Sequence, residues 1–305
     1  MIDVLVTCHR YTKGVTSFPE VRGHYLAKHL ARSGLTAEFR PLPVPVHQRA
    51  CEVLICSEYQ APMTWFDRKL AAPLSEIRAD RMFCMTDFSL YGRPNHFSLE
   101  YCRWFLQRGG LLVHRESAGY IDGEHWIGLG VDSSVVRPSA DARRDRVLFD
   151  FPKSKSIDSA AQFDVKALKQ LRRRLPNHRF VGTGPSDARI RKKFDQWIPY
   201  GQDHRSYVTE AFARSFAVVP GCDESLGMAM AEAQVAGACV VSAECGPPDD
   251  VLVPEAAISC DRDVDSMAAA LTEASGRDAR CIREAAMAKF DFAAVADRTR
   301  AAIGI

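Results

Sequence analysis

Two carboxylates in one short segment carry the most chemistry in this sequence. Glu224 and Glu232 lie within residues 223–241, DESLGMAMAEAQVAGACVV, separated by seven residues. Gly227 stands beside the expected start of a helix and Gly237 at its end, followed by an apolar strand. A strand at 217–219 leads through Pro220 and Gly221 into that helix, so the helix N-terminus is expected to point into a ligand crevice. The unpaired amides and the dipole of a helix N-terminus form an anion site, here flanked by two carboxylates. Read as one helix, eight steps give about 12 Å of rise and about 80° of rotation. That would set one glutamate at each end of an extended ligand. An acidic residue complementing a helix dipole, plus an ordinary surface glutamate, also accounts for the pair.

The elements that must position these residues follow from hydrophobic pattern. Short apolar runs at 3–7, 35–41, 52–56, 81–85 and 111–114 read as strands, with a helix at 19–33 closed by Gly34. Residues 138–145, PSADARRD, are polar and aperiodic and mark a domain boundary. The pattern restarts with strands at 147–151, 179–182, 217–219 and 239–242 and a helix at 164–175. Helices at 264–274, 277–289 and 292–303 close the chain. Strands alternating with helices mean βαβ units and parallel sheets. The expectation is an α/β chain of two Rossmann-like, doubly wound domains, 1–140 and 146–290, facing a cleft. Residues 291–305 form a terminal helix expected to pack back on the first domain. Such sheets bind ligands at the carboxyl ends of their strands.

Composition agrees. At roughly 150 residues per domain, 305 residues suggest two domains. Hydrophobic residues at 47% and charged residues at 26% describe a globular chain. Forty Lys and Arg against 38 Asp and Glu argue against a dedicated nucleic-acid binder. The first residues, MIDVLVTCHR, run straight into a strand with no signal-peptide pattern. No apolar run approaches the ~18 residues of a membrane span. Ten cysteines are scattered without a C-x-x-C pair, as expected of reduced thiols. A cytoplasmic enzyme is expected.

The 223–241 segment resembles the E-x7-E region of the retaining GT-B glycosyltransferases of family 4, the group 1 transferases, whose usual form is E-G-F-G-L-x-x-x-E-A-x-A-x-G-x-P-V-V. Glu224, Gly227, Glu232, Ala233, Ala236, Gly237, Val240 and Val241 match; Ser225, Leu226 and Cys239 replace the usual Gly, Phe and Pro. Gly130-Val131-Asp132 with Pro138 is similar to the segment ending that family's first domain. Residues 181–185, VGTGP, resemble its G-x-G-P turn, and Phe216–Pro220 the strand before the first glutamate. Phe290-Asp291-Phe292 is similar to the aromatic segment before its last helix.

The resemblance implies a metal-independent transferase without a cofactor, moving a sugar from a nucleotide diphosphate sugar to a hydroxyl acceptor. The acceptor would be a glycan, a lipid-linked glycan or a small molecule, as in polysaccharide biosynthesis. It implies that Glu224 contacts donor-sugar hydroxyls and Glu232 the ribose, with amides around Ser225, Leu226, Gly227 and Met228 on the sugar-proximal phosphate. Gly182 would belong to the G-x-G-P turn. Trp197, Ile198 and Tyr200 would face the nucleobase, although a core tryptophan explains Trp197 as well. In FDFPKSKSID the family's Gly-Arg is absent; Lys155 aligns with its lysine and Lys153 stands in for the arginine. Asp87 occupies roughly the place of a histidine near the reacting sugar, as a polar contact or a strand-end cap. Gly14, in Lys13-Gly14-Val15, resembles the glycine loop beneath the donor phosphates, or is a plain turn.

Other signals are weaker. Gly182-x-Gly184 lacks the third glycine of a dinucleotide fingerprint. His24 and His29 have the wrong spacing for zinc, and no HExxH occurs. Arg172-Arg173-Arg174 and the 189–193 run read as a solvated face, or as a patch for anionic lipid at the inner face of a membrane. Two alternatives stay open: another GT-B sugar-nucleotide enzyme, epimerase or synthase, and a non-catalytic nucleotide-sugar-binding pseudoenzyme.

Overall fold

Near-continuous apolar strands such as VLV and EVLIC have no polar face to give to water, so helices must cover both sides of the sheet they build. The computed structural model describes residues 2–8, 18–57, 72–86, 99–115, 119–138, 145–150, 167–184, 188–199, 203–220, 227–242 and 251–305. They form two units, Met1–Gly130 with Phe292–Ile305, and Val131–Asp291.

In the first unit the strands are β1 (Ile2–Thr7), β2 (Ala37–Phe39), β3 (Ala50–Cys56), β4 (Arg78–Thr86), β5 (Gly109–Val113) and β6 (Glu124–Trp126), and the helices α1 (Phe18–Arg32), α2 (Ala72–Ser75) and α3 (Leu99–Leu106). All pairings are parallel, in the order β2-β1-β3-β4-β5-β6. The period-2 alternation of the strands divides the core. Leu5, Leu54, Cys84 and Leu111 pack with Tyr101 and Phe105 on one side. Val4, Ile55, Met85 and Leu112 pack on the other with Leu26 and Leu30 of α1 and with Phe292, Val295 and Ile303. Those last three belong to the terminal helix. Arg298 fixes it by donating to the Ile127 carbonyl at 2.8 Å, and Arg81 donates to the carbonyl of Ile303.

The second unit contains β7 (Arg146–Asp150), α4 (Leu168–Arg174), β8 (Arg179–Thr183), α5 (Ala188–Arg191), β9 (Gln196–Ile198), α6 (His204–Ala211), β10 (Ser215–Val219), α7 (Met228–Val235), β11 (Cys239–Ser242), β12 (Ala257–Ser259), α8 (Val264–Gly276) and α9 (Ala279–Phe290). The terminal helix of the first unit is α10 (Phe292–Ile303). The parallel order β12-β11-β10-β7-β8-β9 is the doubly wound Rossmann order read from its other edge. Asp203, Asp263 and Asp278 cap α6, α8 and α9 by accepting first-turn amide hydrogens.

The motif residues near the two unit boundaries have packing roles. A Cβ on Gly130 would fall 2.2 Å from Phe292 Cε1, so the glycine is what lets that ring seat. Val131 pairs with Asp291 and donates its amide hydrogen to the Phe290 carbonyl at 2.7 Å. Asp132 accepts from the Ser134 amide at 2.9 Å and shapes the turn after Val131.

Both units are Rossmann-like α/β sheets, as the sequence pattern predicts. The edge strands β6, β9 and β12, three residues each, and the helices α3 and α6 were not predicted. No helix among the described residues is long and apolar enough to cross a membrane.

Candidate functional site

In the second unit the strand order changes direction between β7 and β10, which pair side by side with Phe149 opposite Val219. The carboxyl ends of two such strands bound the crevice where doubly wound sheets take their ligands. In the sequence Lys153 and Lys155 follow β7 and Glu224 follows β10. Glu224, Ser225, Leu226, Lys153, Lys155, Tyr200, Gly14 and Asp87 lie outside the described residues.

The described part of the site is built on α7. Gly227 is its N-cap, in the left-handed region at φ 70°, a conformation costly for a residue with a Cβ. This overturns the single-helix geometry for the two glutamates. The helix begins at Met228, so the eight-step rise and rotation do not apply. Glu232 sits five steps beyond the cap, about 7.5 Å along the axis. It is buried at 7% exposure, in a helix that otherwise buries Met230, Ala231, Ala233 and Val235. A glutamate placed so deeply among apolar residues is rare, and its retention asks for a specific task.

Three interactions hold this helix in place. Gln234, fully buried, donates to the Met230 and Val251 carbonyls at 3.0 and 2.9 Å and accepts from the Val253 amide at 2.8 Å. That lays Val251 over the cap, where a Cβ on Gly227 would meet Val251 Cγ1 at 2.5 Å. At the other end, Arg283 of α9 donates to the Val235 carbonyl. The N-cap of α7 is therefore packed by Val251, a residue 24 positions further along the chain.

The β8–β9 edge of the same sheet carries three more of the residues singled out in the sequence. Gly182 and Trp197 are cross-strand partners, and the indole lies on the glycine: a Cβ there would fall 2.3 Å from Trp197 Cζ3. Phe194 meets the same indole edge to face at 5.5 Å, and Arg191 lies 5.8 Å over it. Ile198 is buried, and its carbonyl accepts the Thr183 hydroxyl at 2.9 Å. Met228, in the first turn of α7, is half-buried. Of the residues singled out in the sequence, the structure thus describes Gly227, Met228 and Glu232 on or at the start of one helix and Gly182, Trp197 and Ile198 on the β8–β9 edge of the same unit's sheet.

The arginine-rich run is partly neutralised. Arg172 pairs with Asp195 at 2.8 Å and lies 4.9 Å over Phe180, and Arg174 pairs with Asp265 at 2.8 Å. Among the described residues, no group of three or more His, Cys, Asp or Glu is arranged to hold a metal ion.

Sequence reasoning passed over a polar cluster in the first unit. Arg22 of α1 donates from Nη1 to Nδ1 of His114, just past β5, at 2.6 Å, and both are buried with Arg115. Guanidinium groups only donate, so His114 is the Nε2–H tautomer and neutral. Burial, then Arg22 and then Arg115, hold its imidazole well below the ordinary histidine range. The one sequence signal was a histidine ending the apolar strand LLVH.

No protein-family model and no curated protein matches the sequence. Solved structures do match in fold. HepE from Anabaena, solved in complex with UDP and glucose, superposes with a TM-score of 0.61 at 11% identity over 100% of both chains. A glycosyltransferase from Rickettsia africae gives 0.61 at 11% identity, covering 98% of this chain and 97% of its own. Sucrose-phosphate synthase from Thermosynechococcus elongatus gives 0.60 at 12% identity over 97% of each. The fold is that of the GT-B glycosyltransferases.

Proposed function

We propose that this chain is a retaining glycosyltransferase that moves a sugar from a nucleotide diphosphate sugar to a hydroxyl acceptor. The observation that carries the reading is the left-handed Gly227 cap on α7, with buried Glu232 about 7.5 Å behind it, at the reversal of strand order. It combines an amide-rich anion site with an inward carboxylate suited to vicinal hydroxyls. The GT-B fold, and a neighbour of that fold solved with UDP and glucose, support the same reading.

In this reading Glu232 holds the ribose and the amides of Leu226, Gly227 and Met228 meet the sugar-proximal phosphate. Glu224, three residues before the cap in sequence, contacts the sugar. As the glycosidic bond breaks, negative charge builds on the leaving diphosphate, and cations placed beside it stabilise that charge most in the transition state. Lys155, with Lys153, has this role, and no metal is required. The roles that the resemblance implies complete the reading: Gly182, Trp197, Ile198 and Tyr200 for the base, Gly14 for the donor phosphates and Asp87 for the reacting sugar.

The missing Gly-Arg and the aspartate at the histidine position favour a second reading, a donor-binding protein without turnover. A thermal-shift panel of nucleotide diphosphate sugars separates both from an unrelated function, because a ligand that binds only the native state raises its stability. At least one donor should stabilise the protein, and release of nucleoside diphosphate with an acceptor should follow. Stabilisation without release in any acceptor mixture would establish the non-catalytic reading. A panel with no stabilising donor would refute both. EDTA should leave donor binding and release unchanged; activity lost to EDTA and restored by Mg²⁺ would overturn the metal-independent mechanism.

A further inference from the structure

A group of charges lies at the amino edge of the second unit's sheet, the edge away from the crevice. Arg146, Arg179 and Gln196 are the first residues of β7, β8 and β9, and Arg214 immediately precedes β10. Arg146 and Arg179 are register partners in a parallel pair, so their side chains leave the sheet on the same face. That face is the one α6 covers: Arg146 forms an ion pair with Glu210 of α6 at 3.6 Å, and Glu210 accepts a hydrogen bond from Gln196 Nε2 at 2.8 Å. Arg214 reaches the same carboxylate at 3.5 Å. Asp150, at the crevice end of β7, is four strand steps from Arg146, about 13 Å.

Arg146 is 4% exposed. Burial, the largest influence, holds its pKa below the ordinary arginine value; Glu210 and Asp145 oppose that, and Arg214 and Arg179 add to it. Its ion pair with Glu210 is longer than a hydrogen bond. Among the described residues, nothing accepts a hydrogen from its Nε or Nη2. Those two N–H groups lie along one edge of the guanidinium plane, the edge that meets both oxygens of a carboxylate or phosphate side by side. An apolar side chain of similar volume would fill the space without burying an unmatched fork. The side chains paired beside it are far more exposed, Glu210 at 30% and Arg214 at 53%, so the approach from solvent runs along them.

We infer that Arg146, with Arg179 and Arg214, forms an oxyanion site, for a phosphate or carboxylate group, at the amino edge of the second unit. The ligand occupies the Nε–Nη2 fork of Arg146 while Glu210 stays with Gln196. It is an effector and not the sugar donor, because the site and the crevice lie at opposite ends of β7.

The test uses the full chain at pH 7 in constant sodium chloride. Sodium phosphate or sodium acetate is added at low millimolar concentration, below the range in which phosphate stabilises proteins by exclusion. One of the two should raise the melting midpoint by about 2–4 °C, and the larger shift assigns the group. Arg146→Met should lose the shift. Arg214→Gln, at an exposed position, should lose most of it, and decides the question alone if Arg146→Met does not fold. Arg173→Gln, also exposed on the second unit, should keep it, as should Lys155→Ala. A shift lost in Lys155→Ala and kept in Arg214→Gln would place the oxyanion in the proposed donor crevice and overturn the site, as would the absence of any shift. A donor panel without a stabilising sugar nucleotide would leave the site standing, because the two share no residue.

Discussion

Val251 packs so closely on the Cα of Gly227 that a Cβ there would lie 2.5 Å from its Cγ1. The contact joins two demands at one position, a positive φ and no side chain. Gly227→Ala should therefore lose about 1–2 kcal/mol for the left-handed backbone and about 1–3 kcal/mol for the overlap. Adding Val251→Ala should recover the overlap part and leave the backbone part, a coupling that a double-mutant cycle reads directly. Urea unfolding of the four proteins is the check. A Gly227→Ala variant as stable as wild type would show that the cap does not require glycine.

The Gly182–Trp197 pair predicts a second packing effect. Gly182→Ala would drive a methyl group into the indole at 2.3 Å, so the ring, which meets Phe194 at 5.5 Å, must shift. We expect a loss of about 1–3 kcal/mol and a changed near-ultraviolet circular dichroism spectrum. An unchanged spectrum would mean that the indole does not rest on this glycine.

How much of this was legible in the sequence depends on the length scale of each signal. Strands with three or more apolar residues in a row, such as VLFD and EVLIC, declare themselves because both faces are buried. The edge strands EHW, QWI and AIS are too short for any period to show, and they are strands only because a neighbour offers a ladder. The E-x7-E spacing drew attention to α7, but the helix was extended back through Gly227 because its positive φ is a property of the packed fold. Glu232's burial was equally hidden, since surface and buried glutamates look alike in one sequence. Arg22 and His114 are 92 positions apart, and only the β4–β5 pairing and the close approach of α1 bring them together.

Stability should fall on acidification earlier than carboxylates alone would cause. His114 is neutral in the fold, with its protonation suppressed by burial and two guanidinium groups, while in the unfolded chain it titrates near 6.5. Below that pH the unfolded state binds the extra proton, so stability is full above about 6.5 and declines at about 1.4 kcal/mol per pH unit beneath it. His178, depressed by burial, acts in the same direction. Asp203 and Asp278, lowered chiefly by hydrogen bonds at helix caps, add their loss only below the ordinary aspartate range. Urea midpoints at pH 7.5, 6.5 and 5.5 should show the decline, and His114→Gln should flatten it. A wild-type profile flat from 7.5 to 5.5 would contradict a neutral buried His114.

On the proposed reading, Lys155→Ala should cost more in turnover than in donor affinity, because the charge on a leaving diphosphate grows toward the transition state. Removing one such stabiliser typically lowers the rate about 10²–10³-fold. Wild-type turnover in this variant would move the role to another cation.

The central claim, that α7 and the residues before it bind and activate a nucleotide sugar, is tested most directly by separating the two glutamates. Ribose does not change during the reaction, so on the proposed reading the loss of a ribose contact at Glu232 removes binding shared by ground and transition states. The sugar flattens and gains positive charge, so a carboxylate at Glu224 matters most in the transition state. Steady-state kinetics with the donor varied, on variants shown to be folded by circular dichroism, should give a raised KM with near-normal kcat for Glu232→Gln. Glu224→Gln should chiefly lower kcat. If both variants match the wild-type kcat and KM, the E-x7-E site is not where the donor binds.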